Sequence, residues 1–200
     1  TLFFTMIASL ILGMGSPTTA NYIITSTIAL PAILALNDQF EFAIPILAAH
    51  MFVFYFGIVA DITPPVALAA FAATGISGGE PIRTGLNASK LAIAAYIIPY
   101  MFVLQPQLLM IDTTFLEVLW IIITAIIGMI AIGAGLIGYW YRKLHWIERI
   151  ISALIGLMLI YPETVTDFIG IGAFVVMLVL QFVIKKDQHE NQNEKQSLQA

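Results

Sequence analysis

The 200-residue sequence contains no cysteine, which excludes disulfides and thiolate metal sites. Charge is scarce as well. Asp, Glu, Lys and Arg together make up 10% of the residues, against roughly 25% in soluble domains. With 60% apolar residues and a mean hydropathy of +0.95, the solvent for most of the chain is lipid. The net charge of −4 therefore says little about partners, and no nucleic-acid partner is expected. The sequence opens Thr1-Leu2-Phe3-Phe4, without an initiator Met or the charged start of a signal peptide. It reads as a piece of a longer protein. The H-E-x-x-H zinc signature is absent, and no Ser/His or paired-Asp constellation supports an enzyme. No catalytic residue, metal site or cofactor is expected.

Where charge does occur, it marks boundaries. Residues 1–37 carry none, Asp38 and Glu41 flank a polar gap, and residues 42–79 carry only Asp61. A polar stretch holds Glu80, Arg83 and Lys90; apolar runs follow at 91–111, 118–141, 150–161 and 168–184. A spanning helix needs about 20 apolar residues, so the fold class is an all-α membrane protein. All eight Lys and Arg lie in the 80–90 loop, the 142–149 loop and the tail after 184. The intervening loops at 37–41, 105–113 and 161–167 are acidic. By the positive-inside rule the basic loops and the C-terminus are cytoplasmic. The polar tail, 185–200, is expected to be disordered.

Two places break the pattern of simple spans. In Gly13-Met14-Gly15-Ser16-Pro17-Thr18-Thr19 one apolar helix ends at glycines. Another begins there, with Ser16 as N-cap and Pro17 at the first helical position. The second break is Asp61-Ile62-Thr63-Pro64-Pro65. A continuous helix over 42–76 would be about 52 Å long, and prolines can neither donate to a helix nor tolerate one just before them. The helix is expected to unwind at 61–64 and restart at Pro65. For the first break there are two readings. Residues 1–36 form a re-entrant hairpin with its tip at mid-membrane, or 17–36 spans fully behind a truncated helix. Irregular backbone at membrane depth is tolerated only when it is buried or lines a cavity.

Each break restarts a helix, and helix N-termini attract anions such as carboxylates. The half-helices before them end in free carbonyls, which suit a cation. Gly13, Gly15, Ser16, Pro17, Thr18, Thr19 and Asn21 at the first break, with Asp61, Thr63, Pro64 and Pro65 at the second, are the candidate ion and substrate site. The structural alternative is that the prolines make kinks and the threonines bond to backbone. An intramembrane carboxylate is costly and a functional candidate by default, so Asp61 is expected to take a proton or help hold a cation, unless it is simply hydrated at the interface. His50 is a relay candidate or polar packing. Two motifs are decoys. Gly133 to Gly138 matches G-x-G-x-x-G, but inside an apolar run small residues for helix packing are the better account. Asn87-Ala88-Ser89 is a glycosylation sequon in a cytoplasmic loop.

The stretches GMGSPTTANYI and HMFVFYFGIVADITPPVALAAFAATGISGGEPIRTGLNASKLAIAAYIIPYMFVL resemble the large membrane subunit of tripartite ATP-independent periplasmic (TRAP) transporters. More specifically, they resemble the fused permease that works with TAXI-type binding proteins. The match covers roughly residues 1–105. It implies an elevator-type secondary transporter with two inverted halves, importing an organic acid delivered by a periplasmic binding protein across the bacterial inner membrane. This chain would hold the second half, 1–104, with its hairpin (1–36), broken helix (42–76) and a helix at 86–104. The rest of the permease would be a partner, as would membrane lipid. Residues 105–184 fit the three-helix transmembrane extension of the TAXI-type fusions, so about four transmembrane helices are expected beyond the hairpin and the broken helix. The coupling ion is Na+ or H+: the sequence lacks the Asn that sialic-acid-type members carry between the His and the TPP, and it has Asp61 instead. The rival class is a membrane scaffold or assembly subunit, which would not need two broken helices.

Overall fold

A computed structural model of the chain describes residues 1–40, 44–140, 142–161 and 164–197, with side chains described up to residue 182 except at 38–40 and 164. Glu41, the first two residues of the expected broken helix, Pro162, Glu163 and the last three residues of the tail lie outside the described residues. Among the described residues there is no strand, and the protein is an all-α membrane protein. Thr18–Asn37, Phe115–Ile137 and Val165–Phe182 are each long and apolar enough to cross a membrane, and a fourth span counts if Pro81–Leu91 and Ile93–Leu104, bent by 42°, are one. The chain divides into two compact units, 1–121 and 122–200.

In the first unit α1 (Leu2–Gly13) ends where Gly15 takes a φ of 78°, and α2 (Thr18–Ile28) follows. The N-cap of α2 is Pro17, not Ser16, and no side chain caps it. The expected start was one residue early, because Pro17 has an extended ψ of 147° and its carbonyl already accepts the Asn21 N–H at 2.9 Å. The polypeptide doubles back here, with α1 packed on α2. α2 passes into α3 (Leu30–Phe40) at Ala29, just before Pro31, whose ring nitrogen has no hydrogen to donate. The buried stripe of α1 is Thr5, Ser9 and Gly13, small residues four apart that share one helix face and allow close approach.

Gly13 of that stripe meets α4 (Ile46–Val59) at Gly57, and α4 also packs against α2 and α7 (Ile93–Leu104). Helix α4 is the centre of the unit: Ala48, Ala49, Phe52, Val53 and Phe56 are fully buried. Phe52 and Phe56 meet Tyr100 of α7 edge-on, with ring centroids 5.2 and 5.7 Å apart, the arrangement favoured by aromatic quadrupoles. At its end α4 tightens into a 3-10 turn, Ala60–Ile62. Thr63 is extended, Pro64–Pro65 is a cis bond, and Ala67 sits in the left-handed region at φ 39°. Helix α5 (Leu68–Ser77) therefore starts three residues beyond the expected Pro65. The two prolines remove donors, and the left-handed Ala67 postpones the first helical residue. Helix α6 (Pro81–Leu91) packs on α5 and bends into α7 at Ala92, so the expected helix 86–104 is two helices.

Helix α8 (Phe115–Ile137) carries the chain into the second unit, where α9 (Trp146–Ile160) and α10 (Thr164–Ser197) follow. At 15 residues, α9 rises about 22 Å, short of a hydrocarbon core of about 30 Å. Gly128 and Gly156 bring α8 and α9 together: a Cβ on Gly128 would lie 2.9 Å from the Gly156 carbonyl. Ser152 Oγ donates to the Ala131 carbonyl at 2.6 Å, and Arg149 Nε to that of Gly135 at 2.8 Å. Of the glycines in the nucleotide-like motif, Gly135 packs against Arg149 and Gly138 ends the helix at φ 78°, while a Cβ on Gly133 would meet nothing within 4 Å. Helix α10 continues through the polar residues to Ser197, where disorder was expected from 185. This stretch has no Gly or Pro and is rich in Lys, Glu and Gln, residues of good helix propensity.

Candidate functional site

The two breaks meet. A Cβ placed on Gly13 would lie 2.5 Å from the Gly57 carbonyl oxygen and 3.0 Å from the Ala60 Cβ, so the end of α1 rests directly on the last turn of α4. The side chain that ties them is Asn21. Its amide nitrogen donates to the Gly57 carbonyl at 2.6 Å and, more weakly, to the Gly13 carbonyl at 3.3 Å. Both acceptors belong to helix C-terminal turns, whose last carbonyls lack intrahelical donors. Asn21 is 1% exposed, and its Oδ1 is buried without a hydrogen-bond partner. Thr25, one turn further along α2 and fully buried, donates to the Asn21 carbonyl at 2.9 Å.

The second break is held from its other side. Thr63 Oγ1 lies 2.6 Å from the Val59 carbonyl and 2.6 Å from the hydroxyl of Tyr96 on α7. Ser89 of α6 donates to the Ile62 carbonyl at 3.0 Å. Two carbonyls freed by the unwinding are thus satisfied by hydroxyls rather than by water, as the burial of backbone polar groups requires.

The remaining candidates scatter in exposure. Gly13 is buried, Ser16 is partly buried, and Gly15, Pro17, Thr18 and Thr19 are exposed around the tip. Asp61 is partly exposed in the 3-10 turn, and among the described residues nothing forms a hydrogen bond or ion pair with it. Pro64 is partly exposed and Pro65 exposed. His50 Nδ1 lies 2.9 Å from the Tyr22 hydroxyl, joining α4 to α2 two turns before Gly57. Sequence reasoning missed Tyr22, Thr25, Gly57, Ser89 and Tyr96. Thr25 had a signal, since it stands four residues from Asn21 on the same helical face. The others depend on pairings that no local spacing reveals.

Residues 1–117 match the family of the tripartite ATP-independent periplasmic transporter, DctM component. Residues 118–185 match a domain of unknown function, DUF3394. No curated protein and no solved structure matches the chain. The doubled-back α1–α2 pair and the unwound end of α4 lie within the part matched by the transporter family, which covers more than half of the chain. The chain belongs to the DctM family of TRAP transporter components.

Proposed function

We propose that this chain supplies the ion and solute site of a TAXI-type TRAP permease, built where the α1–α2 tip meets the break after α4. The observation that carries the reading is the Asn21 amide joining the Gly13 and Gly57 carbonyls. A single buried side chain that spans two helix ends makes them one unit. The N-terminal turns of α2 and α5 favour an anion, which supports a carboxylate substrate. The carbonyl ends of α1 and α4, with Asp61, favour a cation or proton. A periplasmic binding protein delivers the organic acid. The remainder of the permease supplies the opposing half for elevator movement in the inner membrane, and the C-terminus is cytoplasmic by the charge rule.

Asp61 carries the coupling in this reading, because it is the one acidic residue in the apolar 42–79 stretch and stands at the break after α4, one residue beyond the Ala60 that meets Gly13 of the tip. The test is uptake by the complete transporter, wild type and Asp61→Asn, under separately imposed proton and sodium gradients. If Asp61 carries a proton, the variant loses proton-driven uptake while binding-protein docking survives. If Asp61 helps hold sodium, the variant needs more of it. Wild-type uptake by the variant under both gradients removes Asp61 from the site.

A further inference from the structure

We propose that Asn21 decides ion specificity at the junction of tip and break, its amide standing where a sodium ion would have to stand. The junction then works without sodium. The inference rests on reading the junction as the ion and solute site. Two helices end there, α1 at Gly13 and α4 just beyond Gly57. The last carbonyls of such ends are free to hold a cation in broken-helix transporters. In this chain they are already satisfied. Asn21 Nδ2 lies between them, 2.6 Å from the Gly57 oxygen and 3.3 Å from that of Gly13, and its two hydrogens serve one carbonyl each. The Gly13 carbonyl also receives the Ser16 N–H at 3.4 Å. The amide thus presents partial positive charge to both oxygens, as a bridging ion would.

There is no room for both. A Cβ on Gly13 would lie 2.5 Å from the Gly57 oxygen and 2.7 Å from Asn21 Nδ2, so backbone, carbonyl and amide are in contact. A hard cation sits about 2.0–2.6 Å from its oxygens and would have to displace the amide. The other end of the side chain supports this assignment. Asn21 Oδ1 is buried without a donor, a costly state, so the side chain is held by its donors alone. Turning the amide over would set an acceptor against two acceptors, and the network therefore fixes which end is nitrogen. Of the two arms open for Asp61, this leaves the proton.

The test is hydrogen exchange in the complete transporter at the backbone of residues 13–21 and 57–63. It is followed without solute, in sodium chloride and in choline chloride of equal ionic strength. Wild-type rates should be the same in both salts. Asn21→Asp keeps the shape but replaces the donors by an oxygen, so it gathers acceptors with nothing between them. Its exchange at both segments should be several-fold faster in choline chloride and should return to wild-type rates in sodium chloride. Slower exchange of the wild type in sodium overturns the proposal, and this arm needs no variant to fold. A variant that exchanges alike in the two salts also overturns it, because the junction is then no place for an ion. Failure of the function reading shows elsewhere: Asp61→Asn with wild-type uptake would remove the coupling role, while the exchange rates would still decide whether Asn21 keeps sodium out.

Discussion

Asn21 and Gly57 have to be read together. The Asn21 amide fills the space where a Cβ of residue 57 would stand, so the absent side chain is part of the hydrogen bond. Gly57→Ala forces Asn21 away from both carbonyls. It should lower the stability of the complete permease by about 1–3 kcal/mol, the range for overpacking a close contact. Gly15 is a glycine for another reason: a Cβ there would meet nothing within 4 Å, but its φ is +78°. Gly15→Ala should cost about 1–2 kcal/mol through backbone strain alone, with the Asn21 bridge intact. Thermal unfolding in detergent compares the two, and an unaltered melting temperature for Gly57→Ala would contradict the bridge. Asn21 was legible from sequence, because an amide just after a helix start in an apolar run has few uses. Gly57 was not, since nothing local separates it from Gly75, which has open space around it.

At the scale of the elements, a broken helix must be held open by something other than its prolines. Pro64 and Pro65 explain why α4 cannot continue, and the sequence carries that plainly. The clasp of Tyr96 on Thr63 and of Ser89 on the Ile62 carbonyl is invisible there, because it joins residues 33 and 27 positions apart. Ser89 had stood out only as part of a glycosylation sequon. Tyr96→Phe keeps the ring and removes the hydroxyl, so Thr63 keeps only its bond to Val59. The expected loss is about 1 kcal/mol of stability, with a matching rise in hydrogen exchange at the 60–67 backbone. Unchanged exchange there would show that α7 does not hold the break. The helix starts fell one to three residues from expectation at Pro17 and Pro65. Propensity places a proline at a boundary but does not fix the dihedral of its neighbours, as Ala67 demonstrates with its φ of 39°.

At the scale of the molecule, composition alone fixed the class, since a chain so poor in charge can bury its apolar residues only in lipid. The order of breaks and spans was also legible, and the family match over 1–117 agrees with it. The two breaks were grouped as one candidate site from sequence, but the contact that joins them, the Asn21 amide on the Gly57 carbonyl, could not be read because it links α2 to α4 across more than thirty residues. The charge pattern yields a separate expectation: residues 163 and 187 lie on opposite sides of the membrane. Single cysteines there should label from opposite faces, and labelling from one face would remove the topology on which the re-entrant reading of residues 1–36 rests.

The central claim is that the tip and the break form one ion and solute site. The absence of cysteine from this chain permits a direct measurement. Single cysteines are placed at Ser16 and at Thr63 in a complete transporter otherwise free of reactive thiols, with a third at Ser77 as a control. The rate of maleimide labelling is followed with and without the coupling ion and the delivered solute. The account predicts that ion and solute together slow labelling at both 16 and 63 and leave 77 unchanged. Protection at only one of the two positions, or at neither, would contradict it.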